Sequence, residues 1–389
     1  MQKKIKRVSK FANNQFDFIL CVTIILLLAL GIVMVLSASA PSSLSTTGNS
    51  YTYVKKQLGF AAFGLFVMFF ISKIDYRVYR KWYWYVYIIG CLVLLLVVIP
   101  GLGYSVKGAT RWIKIGGTQF QPSEITKTCM ILFFAGYLAD HREKIQSVKE
   151  GFLLPVLFLI IPAAILLIFQ NHLSVSLVIG FITIVMMFIA GCRIKHFMIF
   201  GLIAIAIGGF IFGIIGMKNS SDDDNEKKNF RVNRITSFMD PWQDPLGTGY
   251  QTIQSLYAIG SGGMFGLGLG NSKQKYLYIP EPHNDFIFSI LAEELGFFGC
   301  TLVVILFMIF IWRGIVISMR AKDLYGSLVA IGITTLIAIQ AILNIAVVTN
   351  SVPNTGMSLP FFSYGGTALV LLLANVGILL NISRSSSKV

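Results

Sequence analysis

Long apolar runs separated by short polar ones set the rhythm of this chain. The runs are roughly 18–25 residues long, the length an α-helix needs to cross about 30 Å of hydrocarbon. Ten helices are predicted, at 17–36, 56–72, 83–100, 122–139, 151–169, 172–190, 196–216, 285–312, 326–349 and 361–381. The pattern reads as an all-α polytopic membrane protein, one integral membrane unit over residues 1–389. Ten crossings put both termini on the same side. One loop is long, from Met217 to Asn284 between the seventh and eighth helices.

Composition agrees. Of 389 residues, 55% are hydrophobic and 13% charged, and the mean hydropathy is +0.74. Soluble domains carry about a quarter charged residues. The formal charge of +15 raises nucleic acid as a partner, but its distribution excludes it. Nineteen of the 32 basic residues fall in short segments on the N-terminal side of the predicted topology, among them Lys73, Arg77, Arg80, Lys81, Arg142, Arg313 and Arg320. By the positive-inside rule that side, with both termini, is cytoplasmic. The first apolar block follows a basic start but has no convincing cleavage site, so it reads as a retained helix. The five cysteines stand alone, without the spacing of a disulfide framework or a zinc site.

Two outward regions go against the charge rule. The loop 101–121 holds Lys107, Arg111 and Lys114, and the long loop carries Arg231 and Arg234 among its seven basic residues. Long loops escape the rule; the first one is short, and cations kept outside invite an anionic ligand. Arg231 and Arg234, spaced i,i+3, share a face if helical and could clamp a diphosphate. Glu124 and Lys127 fall in the first two turns after Pro122, where a lysine either snorkels or binds. "LPFFSYGGT" supplies Ser363 and two glycines at a helix start, and His172 sits in a tight turn that reads as structural. The loop is too apolar for a tether, and "GYQTIQSLYAIG" is amphipathic enough to lie along the membrane or dip into it. Its "DDDN" run lacks the spaced Gly and closing Glu of a calcium loop.

The stretch "IPEPHNDFIFSILAEELGFFG" is the most unusual. Glu281, His283 and Asp285 precede or open a hydrophobic helix that carries Glu293 and Glu294 further along. Pro280 and Pro282 bar a helix before them and Asn284 is a good N-cap, so Asp285 is expected at the first helical position. That position suits a helix-start acid and a general base alike. Glu293 and Glu294 lie roughly 12–14 Å deeper and point about 100° apart, so the helix must be enclosed, with at least one Glu paired or protonated.

The stretches "GATRWIKIGGTQFQPSEITK", "RVNRITSFMDPWQDPLGTGYQTIQSLYAIGSGGMFGLGLGNSKQKYLYIPEPHNDFIFSILAEELGFFG" and "LPFFSYGGT" resemble the SEDS family (shape, elongation, division and sporulation), which includes FtsW, RodA and SpoVE. The likeness spans nearly the whole chain and is nearer the FtsW/SpoVE branch than RodA. It implies a peptidoglycan glycosyltransferase that polymerises lipid II at the outer face of the cytoplasmic membrane, in division or sporulation. It implies Asp285 as the essential acid, an inverting mechanism, and undecaprenyl diphosphate as the leaving group. Arg111, Lys127, Arg231 and Arg234 become candidates to neutralise that group, with Glu124, Glu281, His283 and Ser363 beside them. A class B penicillin-binding protein, with division or sporulation proteins, is the implied partner. No cofactor is certain, and a divalent cation (Mg or Mn) stays open. Two alternatives remain at this level: a lipid II flippase, and a scaffold for the penicillin-binding protein.

Overall fold

The computed structural model describes residues 16–106, 109–115, 118–199, 201, 237–276 and 278–385. Its helices are α1 (Phe18–Thr47), α2 (Thr52–Ile71), α3 (Tyr83–Leu95), α4 (Pro122–Asp140), α5 (Leu154–Ile168), α6 (Leu173–Ala190), α7 (Tyr250–Gly262), α8 (Ile287–Arg320), α9 (Leu324–Val348) and α10 (Gly366–Ser385). Nine of the ten predicted helices have a counterpart here; the predicted helix 196–216 lies largely outside the described residues, as do Lys107, Arg231 and Arg234. Among the described residues, seven helices are long and apolar enough to cross a membrane, with α5 counted from Lys149 through the π-helical turn that precedes it. The chain is a multi-pass membrane protein. The apolar segment Tyr83–Val98 is shorter, and α4 is diluted by Glu124, Lys127 and Asp140.

Most of α4 is buried, from Ser123 through Leu138, and it packs against α3, α6 and α9. Around it, α2 lies on α10, and α8 lies between α1 and α9. Lipid-exposed apolar side chains need no partner, so the helices show little amphipathicity, as membrane spans do. Ends are marked by chemistry. Asp17 caps α1 through the Leu20 amide (3.0 Å) and pairs with Arg313, while Asp323 caps α9 through the Gly326 amide (2.8 Å) and pairs with Arg77 (3.0 Å). Arg80 pairs with Asp140 (2.7 Å) at the same end. The short loops rich in basic residues are thus gathered together, away from the end that carries Asp285.

The chain is not wholly helical. Residues Gly103–Val106 (β1), Ala109–Ile115 (β2) and Thr118–Phe120 (β3) form a three-stranded antiparallel sheet in the order β1-β2-β3. The all-α expectation is corrected here. "ATRWIKI" alternates: Ile113 is buried against the bundle while Lys114, one residue on, is exposed over the Tyr104 ring. That period-2 pattern, with Lys107–Gly108 and Gly116–Gly117 between the strands, is a hairpin signal too short to rival the long apolar runs.

The expected loop 217–284 is also more structured than a loop. Within its described part, α7 packs on α8, and Ser255 is fully buried, bonded to Ser289 Oγ (2.6 Å) and to Val348 O (2.7 Å). Helix α8 is broken at Gly296, where φ is +65° and ψ is −162°. A broken helix leaves backbone groups without their i−4 partners, and these must be satisfied. The segment after α7 supplies bonds at the break: Phe297 and Phe298 amides donate to Gly263 O (2.9 Å) and Met264 O (3.2 Å), while Leu267 and Gly268 amides donate to Glu293 O (2.9 Å) and Glu294 O (3.0 Å). A Cβ on Gly296 would collide with the Gly266 nitrogen, so only glycine fits.

Candidate active site

Asp285 stands in the turn that feeds α8, two residues before the helix begins at Ile287, with Phe286 at the N-cap. The expectation that Asn284 caps a helix starting at Asp285 is therefore corrected. The Asn284 side chain bonds Glu281 Oε2 (3.1 Å) and its amide bonds Glu281 O (3.0 Å), closing a turn in which Glu281 takes φ +51°. Asn284 lies two residues before the N-cap, Phe286, and so does not cap α8.

What the turn does instead is present three consecutive carbonyls, each held from another part of the bundle. His283 O accepts from the Tyr364 amide (2.8 Å), Asn284 O from Ser363 Oγ (2.8 Å), and Asp285 O from Asn344 Nδ2 (2.7 Å). Ser363 Oγ also accepts from the Leu359 amide (2.8 Å), and Gln57 bridges Ser363 O and the Gly365 amide. The "LPFFSYGGT" motif thus folds as an irregular turn, with Phe361 at φ +67°, and α10 starts at Gly366 rather than at the expected 361. Ser363, a candidate for substrate, has its hydroxyl engaged within the protein. The Asp285 side chain is only partly buried and faces Gly356, where the Cβ of any other residue would lie 3.6 Å from Oδ2. Gly356 has φ +65°, so this wall comes close by means of a backbone conformation that side chains disfavour.

His283 is buried between Tyr53 (ring centroids 4.7 Å apart) and Tyr364 (5.7 Å). Burial pulls its imidazole down to about 4, with the nearby Glu281 charge acting weakly the other way, so it is neutral at pH 7.

Glu293 and Glu294 are fully buried and fully occupied. Glu293 accepts from Ser272 Oγ (2.5 Å) and from the amides of Lys273 (2.9 Å) and Gln274 (3.3 Å). Glu294 accepts from Ser37 Oγ (2.6 Å), the Ser272 amide (3.3 Å) and Lys275 Nζ (2.9 Å). Lys275, itself buried, gives its remaining donors to Ser37 Oγ (3.1 Å) and Gly270 O (2.5 Å). Buried charges survive in a membrane protein when paired and bonded in this way.

Of the basic candidates, Lys127 is 1% exposed and pairs with Glu124 (2.7 Å). It lies at the start of α4, directly after β3, and Gln119 O of β3 accepts from Thr367 Oγ1 (3.4 Å) beside the Ser363 turn. Arg111 on β2 donates to Gln170 O (3.1 Å) and Asn171 O (2.6 Å), bracing the turn before α6, where His172 is buried at the N-cap position. Among the described residues, no group of three or more His, Cys, Asp or Glu side chains converges as a metal set. The cysteines are all free.

Sequence reasoning missed Asn344, Lys275 and Gln57. Asn344 was findable as a lone amide in the apolar run "AILNIAVV". Lys275, in a glycine-rich loop, carries no local mark of its buried partner.

The family model described as "Cell cycle protein", covering FtsW, RodA and SpoVE, matches residues 18–388. The chain belongs to the FtsW/RodA/SpoVE family. It is 46% identical over 370 residues to the stage V sporulation protein E of Bacillus subtilis strain 168, covering 95% of this chain and 97% of that protein. It is 39% identical over 371 residues to a probable peptidoglycan glycosyltransferase FtsW of Geobacter sulfurreducens, covering 95% of each. The rod shape determining protein RodA of Thermus thermophilus superposes with a TM-score of 0.68 at 25% identity, over 96% of this chain and 98% of that one. A chain solved in work on "structural coordination of polymerization and crosslinking by a peptidoglycan synthase complex" gives 0.75 at 27% identity, over 95% and 98%. The family's fold is thus shared along almost the full length.

Proposed function

We propose that this protein is a peptidoglycan glycosyltransferase that polymerises lipid II at the outer face of the cytoplasmic membrane, with Asp285 as general base. The observation that carries the reading is the placement of Asp285: partly exposed, at a bundle end, on a backbone clamped by three hydrogen bonds. The Asp285 carboxylate takes the proton from the 4-hydroxyl of the acceptor's N-acetylglucosamine. That oxygen forms a bond to the anomeric carbon of the donor's N-acetylmuramic acid, the bond to the diphosphate breaks, and the configuration inverts. Undecaprenyl diphosphate is a good leaving group, so one carboxylate suffices where most glycosidases need two.

Developing charge on the diphosphate falls to cations fixed in advance. Lys127, held by Glu124, leads this set, with Arg111, Arg231 and Arg234 completing it; Glu281, His283 and Ser363 shape the acceptor side. Ten spans with both termini cytoplasmic fit the gathering of basic loops at the end opposite Asp285. The partner is a class B penicillin-binding protein, within division or sporulation assemblies.

The test is polymerisation of lipid II by the purified protein with its partner, compared with Asp285→Ala and Asp285→Asn. Loss of polymer in folded variants supports the reading, and retained synthesis overturns it. Lipid II translocation in proteoliposomes without polymerisation, persisting in the Asp285 variants, would favour a flippase.

A further inference from the structure

Asn344 lies in α9 amid apolar residues and is 1% exposed. Its one amide nitrogen uses both hydrogens: one goes to Asp285 O and the other to Met357 O, each at 2.7 Å. These acceptors belong to segments far apart in sequence that border the same carboxylate. Asp285 carries it, and Gly356, beside Met357, faces it. The two N–H bonds of a primary amide are fixed relative to one another, so a single planar group sets the spacing of the two walls. Among the described residues Asn344 Oδ1 has no hydrogen-bond partner, so the amide is committed through its donors alone.

We propose that Asn344 is a positioning residue for the Asp285 base. It sets where the carboxylate stands against the opposite wall, and so governs the chemical step without touching substrate. This rests on the reading of Asp285 given above. Removing the donors leaves two carbonyls unsatisfied, which lowers stability. Misplacing a reacting group by about 1 Å costs on the order of 100-fold in rate. Loss of the Asn344 donors should therefore lower kcat even in protein that is still folded.

Asn344→Leu keeps the branching at Cγ in a somewhat larger side chain, removes both donors and also removes the unpartnered acceptor. Thr334→Ala on the same helix, where the Thr334 hydroxyl bonds only its own turn at Ala330 O (2.7 Å), is the control. The experiment measures kcat and KM for lipid II polymerisation with the partner protein, thermal stability, and amide exchange over residues 281–287. In Asn344→Leu we expect the folded protein to show kcat at least tenfold down with KM within twofold of wild type, a melting temperature below that of Thr334→Ala, and faster exchange at 285–287. Thr334→Ala should keep wild-type kcat. A wild-type kcat in Asn344→Leu overturns the inference, as does a kcat loss matched by Thr334→Ala. If Asn344→Leu does not fold, Asn344→Ser, whose single hydroxyl hydrogen cannot bridge both carbonyls, is read by the same criteria. An active Asp285→Asn would bring down the base reading itself. An inactive Asp285→Asn beside a fully active Asn344→Leu brings down this inference alone.

Discussion

Asp285 and the Glu293–Glu294 pair are separated by less than three helical turns, yet the protein treats them in opposite ways. Both glutamates are saturated: every strong donor near them comes from Ser37, the 272–274 segment or Lys275, and water is excluded. At Asp285 the protein grips the backbone and leaves the side chain partly exposed beside glycine. The glutamate carboxylates tie separate segments of the bundle together, whereas Asp285 has its backbone held and its side chain partly open to solvent.

Four tests put the contrast at risk. Asp285→Ala should lower polymerisation by about 10²–10⁴-fold, the range for a lost general base, with the protein still folded by thermal scan; a smaller loss would place the base elsewhere. Lys275→Met should act on the other side of the contrast by stranding Glu294 as a buried charge, at about 3–5 kcal/mol. Folded yield should collapse, and adding Glu294→Gln should restore much of it; no recovery in the double variant would mean that the pairing is incidental. Acidification should act through His283. Its folded value, about 4, lies below the unfolded value, so the unfolded state binds the extra proton between them. The stability it contributes is full above about pH 6.5 and is lost as pH falls toward 4, about 2 kcal/mol between pH 7 and 5. His283→Phe should flatten that part of the stability–pH curve. The smallest effect on activity belongs to Ser363→Ala, which removes the bond to Asn284 O and the one from the Leu359 amide, for about 1 kcal/mol each. A modest drop in melting temperature with KM unchanged would mark Ser363 as clamp rather than ligand.

Helix positions were legible because each membrane span must be apolar over its full length, so the pattern is redundant. The sheet at 103–120 was not, because seven residues such as "ATRWIKI" offer few alternations to count. The acid to suspect was also legible, since prolines and carboxylates beside an apolar run are costly and conspicuous. Its surroundings were not. Asn344, Ser363 and Tyr364 reach the turn from other parts of the bundle, and no local spacing encodes a contact across it. The helix start was misjudged by two residues because Asn284, a capping residue by type, belongs to a turn closed on Glu281, and its carbonyl and that of Asp285 are held from elsewhere in the bundle.

The break at Gly296 has a mechanical consequence. As one rod, the 34 residues of α8 would extend roughly 51 Å, far more than a bilayer's hydrocarbon requires. From Gly296 to Arg313, which pairs with Asp17 at the opposite end, the rise is about 26 Å, close to a hydrophobic span on its own. The nine residues from Ile287 to Leu295 thus take a direction of their own, and the 263–268 segment, bonded on both sides of the glycine, holds the angle between the two limbs. The long limb alone matches the hydrocarbon, so the short limb is aimed by the bundle rather than by the membrane.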